Sequence, residues 1–121
     1  MKTFKDVYKF PLRSEEYDAG YVFDSNDNLV FQFMDNKYIN LIIDILNDKI
    51  KSNYTDKFHY WKQEQIVFID SEPRKMVLII RGWGNLTGTG GMKLSNEEAI
   101  NIQDTFAEFI ISKLNDNENI S

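Results

Sequence analysis

Five of the chain's six glycines fall in one stretch, Arg81-Gly82-Trp83-Gly84-Asn85-Leu86-Thr87-Gly88-Thr89-Gly90-Gly91, between a strand-like run and a helical pattern. Glycine lets backbone approach a ligand closely, and strand, glycine loop and helix in that order often cradle phosphate. The spacing does not reproduce a phosphate motif, however. No G-x-x-x-x-G-K-[ST] occurs, and Gly82, Gly84 and Gly88 miss G-x-G-x-x-G by one residue. Glu97 and Glu98 also open the following helix, where their charges complement its dipole and repel a phosphate.

Three readings of the stretch remain. It is a structural connection, or a recognition surface in which Arg81, Trp83, Gly84, Asn85, Thr87, Gly88, Thr89 and Gly90 meet a protein partner, with Trp83 partly exposed. Alternatively it binds a nucleotide or other small molecule between Gly82 and Gly91, with Arg81 and Lys93 as counter-charges.

Little else has the composition of a catalytic site. His59 is the only histidine, which excludes multi-histidine metal sites, and no serine sits in a nucleophile setting. The absence of cysteine removes disulfides, thiolate metal sites and a cysteine nucleophile, and points to the cytoplasm. Asp24-Ser25-Asn26-Asp27-Asn28 opens like a calcium loop, but Leu29 replaces the required glycine, so it reads as a hairpin turn. Glu15, Glu16 and Asp18 read as a solvated acidic loop. No metal or cofactor is expected. The chain reads as a non-enzymatic protein.

The elements that must position these residues follow from hydrophobic periodicity. Phe4 to Leu12 alternates as an edge strand; Tyr21 to Phe23 and Leu29 to Met34 form a hairpin around Asp24 to Asn28. Asp35 or Asn36 caps an amphipathic helix carrying Ile39, Ile42, Ile43, Leu46 and Ile50. An aromatic connector, Phe58-His59-Tyr60-Trp61, leads to a second hairpin, Gln65 to Asp70 and Lys75 to Trp83, around Ser71 to Arg74. Ser95-Asn96-Glu97-Glu98 is a capping box for a helix to about Leu114, with Ile102, Phe106, Phe109, Ile110 and Leu114 inward. The expected fold is α+β, in the order βββαββα, with a largely antiparallel sheet and two helices on one face.

With 121 residues, one domain over 1–114 and a polar tail over 115–121 are expected. The net charge of -5 disfavours duplex nucleic acid as a partner. No apolar run is long enough to span a bilayer, and the N-terminus lacks the apolar stretch of a signal peptide. The loop from Arg81 to Gly90, with Ala99 and Ile102-Gln103-Asp104-Thr105-Phe106-Ala107, resembles a group of small uncharacterised proteins of tailed phages and prophage-type bacterial genomes. The resemblance implies an accessory or host-interaction role and carries no residue-level activity.

Overall fold

A computed structural model describes residues 1–15 and 20–116. The expected class is present: six antiparallel strands form one sheet, accompanied by helices. The strands are β1 (Arg13–Ser14), β2 (Tyr21–Phe23), β3 (Leu29–Phe33), β4 (Phe58–Trp61), β5 (Ile66–Ile69) and β6 (Lys75–Ile80), in the spatial order β1-β2-β3-β6-β5-β4. The helices are α1 (Ile39–Leu46), α2 (Trp83–Thr87) and α3 (Asn96–Asn115). The order is therefore βββαβββαα, which corrects βββαββα by one strand and one short helix.

The first hairpin forms where turn chemistry demands it. The Asp24 carboxylate is buried and accepts hydrogen bonds from the backbone amides of Lys9, Asn26 and Asn28 and from the Asn28 side chain, at 2.8–3.0 Å. One short side chain thereby satisfies the donors of the turn and holds the N-terminal segment against it.

That segment is not a strand. Phe4–Asp6 is a single 3-10 turn, and Phe4 and Tyr8 pack on Phe106 of α3, with ring centroids 5.5 and 5.0 Å away. The Leu12 amide and carbonyl bond to the Asn47 side chain at 2.8 and 2.9 Å, so their hydrogen bonds go to an amide side chain instead of a neighbouring strand. Aromatic burial against α3 outweighs the weak alternation in the sequence.

Helix α1 is shorter than its periodicity suggests. Asp35 caps the 3-10 turn Asn36–Tyr38 that precedes it, and after Leu46 the backbone turns left-handed at Asp48, φ 61°, leaving Ile50 exposed. Helix α3 begins as expected: the Ser95 hydroxyl accepts the Glu98 amide at 3.1 Å. Ile102, Phe106, Ile110 and Leu114 are fully buried, whereas Phe109 is only partly so. Asn115 is helical, and its side chain bonds the amide and carbonyl of Phe58, protecting one end of edge strand β4. The remaining tail residues, 117–121, and Glu16 and Asp18 of the acidic loop lie outside the described residues.

Register divides the sheet residues into two sets. Val22, Phe31, Phe33, Leu78, Val67 and Phe58 belong to the first and are buried. Phe31 stacks on Phe106 at 6.0 Å and Tyr60 donates to Asp104 at 3.0 Å, so this side meets α3.

Candidate functional site

The second register set runs across the sheet as Tyr21, Gln32, Ile79, Ile66 and Trp61, flanked by Phe23 and Leu29 on one side and by Phe68, His59 and Met76 on the other. Most of these residues are half-buried, and Trp61 is 37% exposed, in contrast to the sealed first set.

All three arginines of the chain join this set. Arg13 lies opposite Phe23, its guanidinium 5.5 Å from the ring centroid, and it is paired with Glu15 at 3.1 Å and Asp27 at 2.5 Å. The hydrogen bond that Arg13 donates to Asp27 raises the Arg13 pKa further. Arg74 covers Phe68 at 4.6 Å, with Asp70 3.6 Å away. Arg81 differs: its Nε and Nη2 both donate to Gln32 Oε1, at 3.1 and 3.0 Å, and no carboxylate pairs with it among the described residues. Guanidinium planes over aromatic rings remain charged and hydrated at their edges while sheltering the ring faces.

The stretch after Arg81 is not the open loop expected from its glycines. Gly82 has φ 94°, and a Cβ there would overlap the Leu29 carbonyl oxygen. Trp83 then starts α2 and is 38% exposed, in agreement with the partial exposure expected of it. Gly88 and Gly91 sit against the carbonyl oxygens of Gly84 and Asn85, and Gly84 and Gly90 have open space around them. The Asn85 side chain donates to Asn28 at 2.5 Å, and Thr87 donates to the Trp83 carbonyl at 3.0 Å. Leu86 is buried, and its carbonyl accepts the Leu94 amide at 2.8 Å. Thr89 is exposed.

Sequence adjacency therefore does not translate into one site. Arg81 follows β6 and its side chain joins Gln32 on the sheet, while Gly84, Asn85 and Thr87 lie in α2 and Gly88, Thr89 and Gly90 in the turn after it. The glycines that are sterically required face the chain's own carbonyl oxygens, which are acceptors and would repel phosphate.

The aromatic connector is strand β4, and alternation splits it. Phe58 and Tyr60 point toward α3, and His59 and Trp61 join the second set. His59 stacks on Phe68 at 5.5 Å, the position of a packed rim residue. Tyr60 is raised above the ordinary phenol pKa by burial and then by its hydrogen bond to Asp104, which Lys62 also approaches at 3.3 Å. Among the described residues no group of three or more His, Asp or Glu side chains is placed to hold a metal ion, and no helix is long and apolar enough to cross a membrane.

Tyr21, Phe23, Gln32, Phe68, Ile79, Arg13 and Arg74 escaped the sequence reading. Their apolar members lie in runs such as Ile66–Ile69 and Lys75–Ile80, where period-2 alternation is too weak to separate one face from the other. Comparison with protein-family models, with curated proteins and with solved structures finds no match.

Proposed function

We propose that this chain is a non-enzymatic binding module that docks a protein partner on the sheet side opposite α3, in the accessory or host-interaction role implied by the Arg81–Gly90 resemblance. One observation carries the reading: three guanidinium groups and five rings, Tyr21, Phe23, His59, Trp61 and Phe68, converge on the same register set. α3 meets the Phe31 side and α1 contacts α3, and in this reading the opposite side is the one that takes the partner.

Aromatic and arginine side chains dominate the energetic centres of protein interfaces. The five rings and Arg13 lie on strands, whose backbone is already fixed, so docking loses less entropy there than it would on a mobile loop. Trp83, at the start of α2, is a partly exposed indole outside this register set. A nucleotide site is not favoured, because the crowded glycines face carbonyl oxygens.

A photo-crosslinking amino acid placed at Phe23 or Trp61, with Ile100 on the exposed side of α3 as the control, tests the surface in extract of the native cell. Discrete adducts at Phe23 and Trp61, and none at Ile100, are expected. Adducts at Ile100 without adducts at the sheet positions would refute the assignment.

A further inference from the structure

We infer that the hollow beside Arg81 receives an acidic side chain from an extended segment of the partner, an inference that rests on the docking surface proposed above. The hollow encloses about 410 Å³ and is lined by Gln32, Phe33, Met34, Asn36, Ile79 and Arg81. Its polar groups are the Gln32 and Asn36 amides and the guanidinium, and Ile79 and the half-exposed Met34 make its apolar part.

Charge selects the occupant. Of the three arginines on this side, Arg13 is matched by Glu15 and Asp27 and Arg74 lies near Asp70, while Arg81 is held by the neutral oxygen of Gln32. A guanidinium carries five donors, and Gln32 engages two of its nitrogens, so the remaining donors match a carboxylate. The neighbouring Ile79 and Met34 side chains suit the methylenes of a glutamate and reduce water access, which strengthens the ion pair.

A nucleic-acid strand fits less well. The chain's net charge of -5 opposes a polyanion at long range, and the Phe23 and Phe68 faces on which bases would stack already carry guanidinium groups. A single carboxylate requires only the local charge of Arg81.

The test is a titration of the 15N-labelled full chain with end-blocked octapeptides in which leucine alternates with glutamate, glutamine or lysine, and with a thymidine decanucleotide. The glutamate peptide should shift the amide signals of Gln32, Met34, Ile79 and Arg81 and bind about tenfold more tightly than the glutamine peptide. Raising salt should reduce that preference. Arg81→Gln should abolish it, and Arg81→Lys should restore part of it, with retained spectral dispersion showing that each variant is folded.

Equal binding of the glutamate and glutamine peptides at these residues would overturn the carboxylate and leave the docking surface standing. Preference for the decanucleotide would overturn it in favour of single strands. Shifts confined to other regions, together with crosslinks at Ile100, would remove the docking surface as well.

Discussion

Phe106 is sealed in the core and Trp83 is partly exposed, and their substitutions separate scaffold from surface. Phe106 is fully buried and touches the rings of Phe4, Tyr8, Phe31 and Phe109. Phe106→Ala should cost about 3–5 kcal/mol, because the cavity lies where a helix, the sheet and the N-terminal turn meet and cannot readily collapse. Trp83 is 38% exposed, so Trp83→Ala should change stability by less than about 1 kcal/mol. Urea denaturation of both variants checks the pair. A loss of several kcal/mol at Trp83 would show that the indole supports α2 instead of serving recognition.

At the scale of elements, the segment from Gly82 to Gly91 is decided by close backbone packing. Gly82→Ala places a side chain at φ 94° and against the Leu29 carbonyl oxygen, so a loss of at least about 2 kcal/mol is expected. Gly90→Ala meets open space and no left-handed backbone, and should be neutral or slightly stabilising through reduced freedom of the unfolded chain. Thermal unfolding of the two variants measures the contrast; equal losses would mean that the turn is not packed as described. The N-terminal segment illustrates the same competition. Its alternating Tyr8, Phe10 and Leu12 suggest a strand, but ring packing on α3 and the Asn47 clamp on Leu12 satisfy both its apolar and its polar groups without one.

For the whole molecule, the alkaline limit of stability depends on two phenols. Tyr8 is raised above its ordinary pKa of 10.0 by burial and then by the nearby Asp24 charge, and Tyr60 by burial and then by Asp104. In both, the folded state favours the neutral form. Their contribution is complete below pH 10.0, the ordinary value, and is lost as pH rises through the higher folded pKa. Denaturant unfolding between pH 8 and 11, values chosen to span the ordinary phenol range, should show stability falling at the alkaline end. Tyr60→Phe should lower stability at neutral pH by about 1 kcal/mol through its lost hydrogen bond and make the alkaline decline shallower. An unchanged decline in that variant would contradict the role of Tyr60.

What the sequence determined by itself is local. Ser95 with Glu98 starts α3, Asp24 to Asn28 makes a turn, and helical spacing places Ile102, Phe106, Ile110 and Leu114 inward, because caps, turns and amphipathic stripes act within a few residues. Strand pairing decided the rest. Phe58-His59-Tyr60-Trp61 becomes β4 only because β5 and the Asn115 side chain supply its hydrogen-bonding partners. Arg13 is remote in the chain from Arg74 and Arg81, which flank β6, and it reaches their side of the sheet only through the register of β1, β2, β3 and β6. The concentration of glycines was legible as a backbone constraint; the Gly84 and Asn85 carbonyls that press on Gly88 and Gly91 are local, but the Leu29 carbonyl that presses on Gly82 is a tertiary contact. A face of a sheet is a property of paired strands, and no single strand's sequence contains it.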